Sequence, residues 1–229
     1  MERREFRFAR QAMWIAMGAM LAMTSGCNLG TQSKAEQGSM PAVPMTQPNR
    51  FNPTGASVCL QQMIKDPQGP FHVSFAEKSA QDASSVEADV TPAGIDYTKH
   101  ETGAEQTSTD TKHLARAQVT EMEVDFDLMK PVPWHGELVA AQDAAKSAGA
   151  GNVNGYSAIE YSIDTANEPA AQKATFVSLM AVKDYKIVGS AWVTTDTGCL
   201  VKYAIDLEQD EKNGNVKTTH FEGNVTKRE

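Results

Sequence analysis

Apolar and polar positions divide the chain into three stretches of different character. The first is an uncharged run of 12 residues, Ala12 to Met23 (AMWIAMGAMLAM), preceded by Arg3, Arg4, Arg7 and Arg10. It is too short to cross a bilayer core, which needs about 20 apolar residues, and it has the length of a signal-peptide core. The second, from Asn28 to Gly55, is rich in Pro, Gly, Gln, Ser and Thr and has no period of 2 or 3.6. With Pro41, Pro44, Pro48 and Pro53 it reads as a flexible tether. The third, residues 55–229, carries the periods of a folded domain.

In that domain Leu60, Met63 and Ile64 fall at helical spacing within 56–65, with Gly55 or Ser57 as the cap. Phe71, Val73 and Phe75 alternate with polar residues and predict a strand. Val86–Val90 and Ile95–Lys99 predict two more, and the polar residues 101–115 read as a loop. Residues 119–130 fit either period: Met122, Val124, Phe126 and Leu128 as a strand, or Val119, Met122, Phe126 and Met129 as a helix. The helix is preferred, ended by Pro131 and Pro133. Alanine-rich 136–148 predicts a second helix, ended by Gly149, Gly151 and the Asn152/Asn154 pair. Strands follow at 159–163, 175–183 and 187–194, with Asp184-Tyr185 as the turn between the last two. Cys199, Val201, Tyr203, Ile205 and Leu207 share one strand face, Asn213-Gly214 marks a hairpin, and 216–225 closes the chain. Strands with one apolar face, plus a few helices, predict an α+β domain with helices on one side of an antiparallel sheet.

At 41% hydrophobic residues the chain has the composition of a globular protein. Its net charge of −8 arises after residue 26, because the first 26 residues are basic. An acidic domain is a poor partner for nucleic acid, whose phosphates need basic groups.

There are three cysteines, Cys27, Cys59 and Cys199. Thr24-Ser25-Gly26-Cys27, directly after the apolar run, resembles the bacterial lipobox, with Thr24 where leucine is usual. The resemblance implies cleavage before Cys27, acyl chains on its sulfur and attachment to a membrane. Asn28, in place of aspartate, implies the periplasmic face of the outer membrane. Arg3-Arg4-Glu5-Phe6 resembles a twin-arginine signal and suits an ordinary basic leader equally well. If Cys27 is lipidated, an even pair remains in an oxidising compartment. Cys59 and Cys199 then form a disulfide, or stay as two separate buried thiols.

Two segments carry a wider resemblance. Gly149–Ile163 (GAGNVNGYSAIEYSI) and Gly189–Leu207 (GSAWVTTDTGCLVKYAIDL) resemble a VNG turn-and-strand and a tryptophan hairpin with a Thr-Gly turn. Both occur in the lipoprotein-carrier, lipoprotein-receptor and LppX-type envelope lipoproteins. The resemblance spans residues 145–225. It implies a curved antiparallel sheet forming an open half-barrel, helices as its lid, and a hollow that takes acyl chains. Ile159, Tyr161, Trp192, Tyr203 and Ile205 would line that hollow; the alternative is that they pack into a filled core. The matching functions are binding or transfer of a lipophilic ligand, or a structural or protein-interaction role.

Neither a metal-binding histidine spacing nor a nucleophile elbow or phosphate loop is present. Glu121, Glu123, Asp125 and Asp127 read as a solvated face. The expectation is therefore a protein that is not an enzyme and uses no cofactor or metal.

Overall fold

The computed structural model describes residues 50–104, 106–133 and 137–228. The expected leader (1–26), Cys27 and the expected tether up to residue 49 lie outside the described residues. The folded domain starts a little earlier than expected. Helix α1 runs Pro53–Lys65, Phe51 before it is 1% exposed, and Asn52 is the cap, its side chain accepting from the Gly55 amide. Proline at the first helical position costs nothing, because its missing N–H would be unpaired there.

Nine strands follow: β1 Phe71–Ser79, β2 Ala83–Thr91, β3 Gly94–Thr102, β4 Thr107–Ala115, β5 Ala145–Val153, β6 Tyr156–Asp164, β7 Asp184–Thr194, β8 Leu200–Asp210 and β9 Val216–Lys227. They form one antiparallel sheet in the order β4-β3-β2-β1-β9-β8-β7-β6-β5. It is not closed: β4 and β5 are its two edges. With a few helices this is an α+β domain.

Alternation sorts the sheet into two faces. Phe71, Val73, Phe75, Val86, Val90, Ile95, Tyr97, Tyr161, Ile187, Tyr203, Ile205, Phe221 and Val225 are all buried on the inner face. Its cover comes from α1 and from the long link between the two edge strands. That link contains a π-helical turn, Glu123–Leu128, and a single helical turn α2, Glu137–Ala140. Ala56, Leu60 and Ile64 of α1 and Val124, Leu128, Met129, Val132 and Leu138 of the link are at most 3% exposed. The outer face is polar.

Four expectations need correction. Residues 107–115 are strand β4, not loop; the strand is an exposed edge, so no apolar face betrays it, although Thr107, Thr109 and Thr111 favour extended backbone. Residues 145–148 are not helical. They open strand β5, where Ala145 pairs with Ile163 and Ser147 with Tyr161, and only Glu137–Ala140 makes a helical turn. The glycines and asparagines expected to end a helix lie in β5 or in the turn after it. Residues 175–183 are not a strand either: α3 spans Ala170–Met180 and ends at Ala181 in the left-handed conformation, φ 57°. Its alanine-rich first half favours helix, and β6 and β7 already pair with each other, leaving no place for a strand between them. Asp184 and Tyr185 accordingly begin β7 instead of forming a hairpin turn.

In the ambiguous stretch 119–130, residues 121–128 are helical, the preferred alternative, but with a different face inward. Val124, Leu128 and Met129 are buried, while Met122 and Phe126 are 69% and 70% exposed. A wider π-helical turn shifts which side chains point to the sheet.

Candidate functional site

Cys59 in α1 and Cys199 before β8 are joined as a disulfide, with Cα atoms 4.8 Å apart. It ties the cover to the β7–β8 turn. That turn is itself knit together: the Cys199 amide donates to Thr194 Oγ1, and the Thr194 amide to the Cys199 carbonyl, both at 2.9 Å.

Of the five residues expected to line a hollow, Tyr161, Tyr203 and Ile205 are 5%, 1% and 1% exposed on the inner face. Ile159 is partly buried on the same face. Trp192 is on the other side of the sheet: it pairs with Glu160 and Lys202, and the Lys202 ammonium lies 4.7 Å from its ring. The placement of Trp192 among the lining residues is therefore overturned by strand register. Where the hollow was expected, side chains fill the space. The Tyr161 ring meets Phe51 at 5.1 Å, the Tyr203 ring stacks on Phe75 at 6.3 Å, and the Tyr203 hydroxyl donates to the Pro131 carbonyl. Burial pushes the Tyr203 phenol well above its ordinary range.

The inner face changes character toward β3 and β4. There Tyr97, Lys99 and Lys112 converge on Asp127 of the π-helical turn, at 2.9, 3.3 and 3.1 Å. Lys99 also reaches Glu101 at 3.3 Å, and Glu101 is bound by Lys130. Of the four acidic residues expected on a solvated face, Asp127 is thus drawn inside. Glu121 pairs with Lys65, Asp125 accepts from Gln61, and Glu123 accepts from Thr120.

Burial raises the Asp127 carboxyl, but the donors Lys112, Tyr97 and Lys99 outweigh it and hold the group below its ordinary value. A carboxyl lowered in the folded state adds stability above its unfolded range and loses it as pH falls through the folded value. Asp127→Asn is expected to cost about 1–3 kcal/mol at neutral pH, since it leaves two lysines without their shared anion. Urea titrations should show the wild type losing this advantage below about pH 4 and the variant showing a flatter acid limb. Equal midpoints at pH 7 would remove Asp127 from any role in holding the cover.

Beyond this network lies a hollow of about 380 Å³ at the end of the inner face. Register builds it: Glu77 of β1 is opposite Ser84 of β2, Ser84 opposite Glu101 of β3, and Glu101 opposite Ser108 of β4. Directly opposed residues share a face, so these four form a polar row across the sheet. Asp82, in the β1–β2 turn, and Lys130, from the link, complete the rim. The Lys130 bond, outweighing burial and aided by Lys99, keeps Glu101 below its ordinary value. Periodicity singled out none of these residues. A signal was present, however: Ser84 interrupts the apolar register of Val86, Ala88 and Val90, and Lys99 and Glu101 interrupt that of Ile95 and Tyr97.

Histidines 72, 100, 113 and 220, scattered in sequence, all project from the outer face. His72 sits between Asp89 and Glu87 at 2.8 Å each, and His220 meets Asp206 at 2.7 Å. Among the described residues no three histidine, cysteine or acidic side chains are grouped as metal ligands, and no helix is long and apolar enough to cross a membrane. No protein-family model matches the chain, and no curated protein matches it.

Proposed function

We propose that this chain is an envelope lipoprotein, held to the membrane through lipid on Cys27, whose domain acts through its surface as a structural or protein-interaction module. The observation that carries the surface reading is the filled space under the cover. Leu60, Ile64, Val124, Leu128, Met129 and Leu138 are each 0% exposed and occupy the position that an acyl chain would need. The open nine-stranded sheet with helices against one face is in keeping with the half-barrel resemblance, without the hollow that resemblance implies. A lipophilic ligand would have to displace the cover or lie outside it, on Met122 and Phe126.

The anchor rests on the leader pattern and on Gly26-Cys27. Several acyl chains hold a protein stably, each buried methylene contributing about 0.8 kcal/mol. Cys27→Ser is expected to move the protein from the membrane pellet to the soluble fraction. Retention in the pellet would end the anchor reading. Solvent extraction of the detergent-purified protein, followed by mass spectrometry, tests the surface reading: no lipid beyond the covalent acyl chains is expected. A stoichiometric free lipid would replace it with the carrier function.

A further inference from the structure

The hollow at the end of the inner face has features that neither an anchor nor an interaction surface needs. Three carboxylates, Glu77, Asp82 and Glu101, border it together with the ammonium of Lys130, and both Lys130 and Lys99 are committed to Glu101. On its floor Ser84 is 9% exposed, and its Oγ has no hydrogen-bond partner. Ser84 is directly opposite both Glu77 and Glu101, so its hydroxyl lies between two carboxylate-bearing strands. An unpaired buried hydroxyl costs free energy, about 1–3 kcal/mol in mutational data. A partner that donates or accepts there recovers that cost.

The geometry points to a binding site for a small organic cation bearing a primary ammonium. An ammonium has three donors and no acceptor. It matches a rim of carboxylate and hydroxyl oxygens. Asp82 makes no ion pair among the described residues, so it is open to such a ligand. The volume is at the lower end of the range for small-molecule sites, which suits a short diamine and excludes a lipid. A divalent metal is a poorer fit, because the carboxylates border a roomy hollow and are not gathered as a ligand set. The site lies away from the Cys59–Cys199 bridge and needs neither the anchor nor the filled core to be correct.

Calorimetry on the full-length protein in detergent at 0.15 M salt tests it, with cadaverine as the probe. Diacetylated cadaverine, which has no charge, and calcium chloride are the controls. Cadaverine is expected to bind one per chain. Asp82→Asn, in an exposed turn, should weaken it about tenfold, the scale of one charge-assisted hydrogen bond. Glu87→Gln removes the same charge from the outer face and should leave affinity unchanged. Ser84→Ala should weaken binding while leaving the ligand-free protein at least as stable as wild type, a pair of effects that a purely structural serine would not produce. The site is overturned if cadaverine gives no saturable heat, if the diacetyl compound or calcium binds as well, or if Glu87→Gln weakens cadaverine as much as Asp82→Asn.

Discussion

Replacing Cys59 and Cys199 together by serine is expected to remove up to about 5 kcal/mol from the free energy of unfolding. The two residues are 140 apart in sequence, and a bridge across so long a loop strongly restricts the unfolded chain. The folded state feels the loss locally as well. Helix α1 belongs to no sheet ladder and is held by Ala56, Leu60 and Ile64 against β8 and the link. Besides the short backbone link to β1, the bridge ties it covalently to the start of β8. Urea unfolding of wild type and double variant, under non-reducing conditions, gives the difference directly. Hydrogen exchange should show the gain in opening concentrated in 53–65. A wild type that unfolds at the same midpoint with and without reductant would mean that the bridge is absent or carries no weight.

Gly223→Ala is expected to cost about 3 kcal/mol, the upper end for overpacking a filled core. A Cβ at this position would sit 2.1 Å from the Tyr203 ring. That ring cannot swing away, because it is 1% exposed, stacks on Phe75 and reaches the Pro131 carbonyl. Gly223 is directly opposite both Tyr203 on β8 and Phe75 on β1, so the missing side chain makes room for the ring at the middle of the sheet. The pair should be non-additive: Gly223→Ala combined with Tyr203→Leu should cost less than the sum of the two single changes. Additive costs would mean that the ring does not lie on the glycine. A comparable constraint acts at Gly189, φ 153°, where a Cβ would fall 2.1 Å from the Ala204 carbonyl oxygen. There the obstacle is backbone, and no partner substitution relieves it.

The legible elements are those that bury one face. Alternation from Cys199 to Leu207 predicts β8 and the correct inward side, and Asn213-Gly214 predicts the turn before β9, with Gly214 at φ 88°. The elements missed or misread bury little. Strand β5 is exposed from Lys146 to Asn152, so Ala and Gly leave no period to read. Strand β4 is polar on both faces for most of its length. Local propensity misleads at 136–148, where alanine favours helix, but pairing with β6 satisfies the backbone of a strand that propensity alone would not form. In 119–130 the helical period is right and the inward face wrong, because a π-helical turn rotates Asp127 inward and leaves Phe126 outside.

The polar hollow shows the same division more sharply. Its residues come from β1, the β1–β2 turn, β2, β3, β4 and the edge-to-edge link. No spacing along the chain connects Glu77 with Glu101, since their proximity depends on antiparallel register through Ser84. Trp192 illustrates the converse: it lies in the most legible hairpin, yet a parity of one residue puts it on the opposite face from Tyr203.

Short-range chemistry in the sequence thus settles the α+β class, the central strands and the turns between them. It also marks out the apolar run 12–23 and the proline-rich stretch before Phe51. Pairing of Cys59 with Cys199, the order of strands with β4 and β5 as open edges, the filled inner face and the polar row at its end are decided by the tertiary structure. Each of these joins residues far apart in the chain. Their contact depends on which strands lie side by side and in what register, a choice set by burying the whole inner face at once rather than by any local preference.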